Sequence, residues 1–116
     1  MQLSAQKVRF ENLRSLAAAS IGAGYTGVGA SFANPVRMLK VTNLSDSDLM
    51  ISFNGIDDKD VIAAQSAWIY DYCSNMSTQS GNMEQTVGDR VYVKFITGAP
   101  TNGKAVYVTV IYAGVV

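Results

Sequence analysis

The sequence predicts an all-β fold: a single antiparallel β-sandwich, jelly-roll-like, over residues 13–116, with an extended N-terminal arm over residues 1–12. Three observations carry this. Short runs rich in Val, Ile, Tyr and Phe recur between Gly-, Asn- and Asp-containing joints, a spacing that indicates a sandwich or jelly roll. The clearest of them, Val36 to Gly55, sets two strand-like segments either side of the polar joint Asn43-Leu44-Ser45-Asp46-Ser47-Asp48, which reads as a β-hairpin. Finally, 116 residues with 48% apolar and 16% charged content suit one ordered domain with one modest core.

The first eight residues, MQLSAQKV, read as an arm whose order depends on a partner. From Phe10 to Ile21 two periods compete. Leu13, Leu16, Ala17 and Ser20 would share a helical face, whereas Leu13, Ser15, Ala17 and Ala19 would share a strand face. The alanine run favours helix by propensity; the flanking glycines and the β character downstream tilt the reading to strand. Gly22-Ala23-Gly24-Tyr25-Thr26-Gly27 matches a G-x-G-x-x-G string. A dinucleotide site would need a helix next, but Val28-Gly29-Ala30-Ser31-Phe32 is a poor helix and Pro35 closes the segment, so a turn or bulged strand is expected.

Strands are expected at Val36 to Thr42 and Leu49 to Asn54, with a loop at Gly55 to Asp60 and a short strand at Val61 to Ala64. Ala67 to Tyr72 is the next strand, with Trp68, Tyr70 and Tyr72 on one face. A polar loop follows over residues 74–86, then a turn at Val87-Gly88-Asp89 and a strand from Arg90 to Thr97. Gly98 to Gly103 ends in Asn-Gly, a reversal signal, and Ala105 to Tyr112 is the last long strand.

Composition excludes much chemistry. The chain has no histidine and one cysteine, so Ser-His-Asp and Cys-His sets and a His-bound metal are ruled out, and no enzymatic activity and no cofactor are expected. Cys73 is alone, which excludes an intrachain disulfide and fits assembly in a reducing cytoplasm; it reads as a small, semi-buried filler. The Asp57-Asp58-Lys59-Asp60 turn lacks a calcium-loop spacing and includes a cation, so it reads as a solvated turn. No apolar stretch reaches the roughly 18 residues of a membrane helix. The short run Leu16 to Ile21 mimics a signal peptide only superficially.

Charge sums to zero but is unevenly spread. Residues 1–40 carry Lys7, Arg9, Arg14, Arg37 and Lys40 against Glu11, while residues 41–85 carry seven acids against Lys59. The balance disfavours nucleic acid; the asymmetry suits steering one end of a subunit towards the opposite end of its neighbour. The low total charge and the aromatic residues point the same way, since interfaces are depleted in charge and enriched in aromatics. The candidate interface residues are Lys7, Arg9, Phe10, Arg14, Trp68, Tyr70 and Tyr112.

From Tyr25-Thr26-Gly27-Val28-Gly29 onwards the chain resembles small virion proteins from the structural modules of tailed bacteriophages. The matching segments are Val36 to Lys40 leading into Asn43-Leu44-Ser45, Ile51 to Gly55, Tyr70-Asp71 with Ser74-Asn75, Val91 to Lys94, and Val106 to Tyr112. The resemblance implies a β-sandwich or jelly-roll subunit used in many copies. Its first expected role is a capsid decoration or cement protein; a neck, tail or fibre-attachment protein is the alternative. Implied partners are further copies of the chain and the major capsid or neck and tail proteins of the same particle, assembled in the host cytoplasm, with no membrane and no small-molecule ligand. A carbohydrate-binding module using exposed aromatics such as Trp68 is the alternative of another class.

Overall fold

Among the described residues, nine strands fall largely where the β-branched and aromatic runs lie: β1 (Gln6–Phe10), β2 (Arg14–Leu16), β3 (Thr26–Gly27), β4 (Met38–Asn43), β5 (Leu49–Ser52), β6 (Asp60–Ile62), β7 (Ser66–Asp71), β8 (Tyr92–Phe95) and β9 (Val106–Val115). The structure is a computed structural model and describes residues 6–72 and 85–115. Cys73 and most of the polar loop expected over 74–86 lie outside the described residues, as does the start of the arm.

The strands form two packed antiparallel sheets, a β-sandwich as expected. One has the order β1-β9-β4-β7, with β2 also on β9; the other has the order β3-β8-β5-β6. The pairings follow the logic of one long hairpin. Strand β5 pairs with β6, β4 with β7, β3 with β8 and β2 with β9, and the rolled hairpin then joins β9 to β4 and β8 to β5. Side chains alternate between faces along each strand. Leu39 and Val41 of β4, Leu49 and Ile51 of β5, Val93 of β8, and Val106, Val108 and Val110 of β9 therefore all enter one core, which Val28, Phe32 and Val36 complete.

Three expectations need correction. Val36 to Gly55 is not a hairpin: β4 belongs to one sheet and β5 to the other, so the Asn43 to Asp48 joint is an arch between sheets. The reason lies in buried polar groups. The Asn43 Nδ2 donates to the carbonyls of Ser47 (2.9 Å) and Ala63 (3.2 Å), and its Oδ1 accepts from the Ser45 N–H (3.0 Å) and Oγ (2.6 Å). Asn43 and Ser45 are fully buried, so their hydrogen bonds are made inside the arch, not across a hairpin. The Asn-Gly joint at 102–103 likewise crosses between sheets, from β8 to β9, and is not a hairpin turn. The Val61 to Ala64 strand shifts to Asp60–Ile62.

The segment from Phe10 to Ile21 is strand only in part: it contains the end of β1, the three-residue β2 and a single 3₁₀ turn over Ala18–Ser20 where the alanines lie, with irregular backbone between them. The G-x-G-x-x-G string is a bend followed by the two-residue β3. Residues 6–10 of the arm form β1 on the C-terminal end of β9. Since β4 accompanies β9 only as far as Ile111, β1 and the end of β9 continue as a two-stranded ribbon, and the molecule is elongated, 56 × 23 × 22 Å.

Candidate functional site

The ribbon and the sheet from which it projects bring several of the candidate residues together. Directly opposed residues in an antiparallel pair share a face. Phe10 faces Ile111, Ile111 faces Met38, and Val8 faces Ala113, so these residues lie on the outer face of the five-stranded sheet, away from the core valines of β9. Val8 is 67% exposed and Phe10 63%, and Ile69 of β7, on the same outer face beside Lys40, is 60% exposed. Lys7, Val8, Arg37, Met38, Ile111, Tyr112 and Ala113 line a cleft of about 260 Å³ where the ribbon leaves the sheet. Its lining is mostly apolar, with Lys7 and Arg37 supplying the charged groups. Arg9 lies opposite Tyr112, with its side chain running across Gly114.

Arg14 belongs elsewhere. Only 8% exposed, it donates through Nε to the Ala30 carbonyl (2.7 Å) and through Nη2 to the Ser31 carbonyl (2.9 Å) and Glu11 Oε1 (2.6 Å). The guanidinium also sits 5.6 Å from the centre of the Phe32 ring. Glu11 in turn accepts from the Ala33 N–H (3.1 Å) and Asn34 Nδ2 (2.8 Å). Burial alone would raise the Glu11 carboxyl pKa; the bonds from Asn34, Arg14 and Ala33 outweigh it and hold the group below its usual range. This pair ties the β1–β2 link to residues 29–34 and so fixes where the ribbon begins.

Trp68 and Tyr70 sit on the opposite edge of the sheet, on β7. Trp68 aligns with Val41 and Val108 but, at the edge, stays 51% exposed. Tyr70 is half-buried, packs edge-to-face on Phe53 at 6.0 Å and donates to Asp60 Oδ2 at 2.5 Å. Burial, then the Asp60 carboxylate, pushes its hydroxyl pKa upwards. The Tyr70 ring is thus packed against Phe53, while Trp68 on the same strand is left exposed.

On the other sheet, Lys94 lies 4.5 Å from the Tyr25 ring centre and 3.4 Å from Asp58, and the Tyr25 hydroxyl donates to Asp58 at 2.5 Å. The Tyr25 hydroxyl is shifted up, by burial first, and the Asp58 carboxyl down, by the Tyr25 bond first. Tyr72 is pushed up to about 12, by burial and then by Asp89. Among the described residues, no cluster of three or more His, Cys, Asp or Glu could hold a metal ion, and no helix is long and apolar enough to cross a membrane.

Sequence reasoning singled out the charged and aromatic members of this surface and missed Val8, Met38, Ile69, Ile111 and Ala113. The signal was present in the alternation of 105–115: Val106, Val108 and Val110 occupy one parity, so Ile111 and Ala113 had to occupy the other. Comparison with protein-family models, curated proteins and solved structures returns no match for this chain.

Proposed function

We propose that this chain is a non-catalytic structural subunit of a tailed-bacteriophage particle, a jelly-roll decoration or cement protein that binds the capsid shell in many copies. The observation that carries the reading is the exposed apolar strip at the ribbon end of the outer face, where Val8 and Phe10 continue from Ile111 and Met38 on a face that also carries Lys40, Thr42 and Thr109. A two-stranded ribbon is marginal in water without support, and one with large apolar side chains exposed suits a partner surface. The long-hairpin pairing, β2 with β9 through to β5 with β6, supports a jelly-roll winding, an architecture that recurs in viral capsid domains. The sequence resemblance to small virion proteins supports the particle, and multivalent repetition turns weak contacts into shell stability.

The test is quantitative mass spectrometry of purified particles of the phage encoding the chain, together with rebinding to particles that lack it. Hundreds of copies per particle are expected. Phe10→Asp, at an exposed position, should abolish rebinding while leaving the fold intact. Absence from the particle overturns the proposal, and about six or twelve copies would move the protein to the neck or tail.

A further inference from the structure

The two edges of the five-stranded sheet differ in charge and in strand direction. Among the described residues, nothing pairs with the outer edge of β1 or with that of β7. Strand β1 carries Lys7 and Arg9. Strand β7 carries Asp71, with Lys40 of β4 opposite Ile69, and beside it lies β6, whose Asp60 follows Lys59 and accepts the Tyr70 hydroxyl. One edge is thus basic and the other carries mixed charge.

We infer that copies of this chain join head to tail, the β1 edge of one docking on the β7 edge of the next. The inference rests on the multi-copy reading above and names the partner: a second copy. Three antiparallel ladders separate β1 from β7, so the two edge strands run in opposite directions. Strand β1 lies level with β9 residues 111–115 and β7 with residues 106–111, so copies in the same orientation, staggered along the strands by about the length of the ribbon, meet as an antiparallel pair, the arrangement used throughout the sheet. Charge disfavours the symmetric joint at β1, since pairing β1 with β1 would oppose Lys7 and Arg9, whereas the β7 edge offers Asp60 and Asp71 to that basic strand. The composition of β7 fits docking too. Natural edge strands are usually protected by Lys, Pro or a bulge, whereas Ser66–Asp71 reads SAWIYD, with Trp68 and Ile69 exposed. Such a heterologous joint closes into a ring or continues as a filament.

The ladder shows which backbone groups are available. Glu11 N–H donates to the Val110 carbonyl, so the even residues of β9 face β1 and β2; Lys7 and Arg9, opposite Gly114 and Tyr112, then face inward, and Val8 faces the open edge. Leu44 N–H donates to Ala105, so by the same alternation Tyr70 and Trp68 face β4, and Ile69 faces the open edge. Proline tolerates such outward positions without breaking the ladder. Sedimentation velocity of the full chain at low salt, in the absence of particles, should show species larger than a dimer that dissociate as salt rises. Val8→Pro and Ile69→Pro should each be monomeric, at least tenfold weaker in self-association, while an equimolar mixture forms a dimer through the one intact joint. Lys7→Glu and Ile69→Lys give a second, charge-based pair: each should weaken association alone, and mixing the two should recover it. A monomeric wild type, a single-edge variant that associates like wild type, or mixtures that recover nothing would overturn the joint. Loss of particle binding with self-association retained would instead overturn the particle reading alone.

Discussion

At the scale of single residues, buried polar groups decide more of this fold than the apolar pattern suggests. Asn43 lies in a strand yet is fully buried, and its amide satisfies Ser45, Ser47 and Ala63 together. Asn43→Ala would leave buried partners without hydrogen bonds, and unmade bonds of that kind cost about 1–3 kcal/mol each. Urea unfolding should therefore show a loss of roughly 2–4 kcal/mol, against well under 1 kcal/mol for Leu44→Ala beside it, where the side chain is 41% exposed. Glu11 gives a pH signature. Its folded pKa lies below the ordinary 4.5, so its stabilisation is complete above that value and is lost as pH falls through the lower folded pKa. Glu11→Gln should reduce stability at pH 7 and make the acid limb below pH about 4.5 shallower, as read from thermal melts across that range. The role of Glu11 was not legible in the sequence, because its partners Ala33 and Asn34 are more than twenty residues away. Arg14 was misplaced among surface candidates for the same reason: residue type reports charge, whereas burial depends on the loop at 29–34 that folds over it.

At the scale of elements, strand positions were legible and partnerships were not. Period-two alternation located β4, β5, β8 and β9 within a few residues, because each of these buries one face and the core enforces the pattern, whereas β7, with no buried residue, was marked by its aromatic run. Alternation is blind to which sheet receives the next strand. Val36 to Gly55 looked like a hairpin because a polar joint between two strands is the local signature of both a hairpin and an arch; only the buried environment of Asn43 and Ser45 separates them. The ribbon escaped notice because β1 pairs with residues more than a hundred positions away. Its attachment gives a clean prediction. Deleting residues 1–10 removes β1 but keeps Glu11, Arg14 and β2, so the shortened chain should retain its far-UV spectrum and cooperative melting. Truncation before Val106 should abolish folding, since β9 is the strand on which β1, β2 and β4 all pair.

At the scale of the whole molecule, stability should grade along the long axis. Among the described residues, the end of β9 pairs with β1 alone, while its first half is flanked by β4 and β2 and buries Val106, Val108 and Val110 completely. Local opening needs less free energy where fewer apolar contacts and flanking strands must be broken. Amide hydrogen exchange should therefore be slowest in β4 and in Val106 to Val110, where opening requires the core to come apart, and fastest in Lys7, Val8 and Ala113 near the ribbon tip. The same gradient ties the fold to its proposed use. If the ribbon edge and the outer face are where the subunit meets its neighbours, protection at the tip should rise on assembly, while the core amides, already limited by global unfolding, change little. Equal protection at the tip in the free and assembled protein would separate the ribbon from the contact and confine assembly to the body of the sandwich.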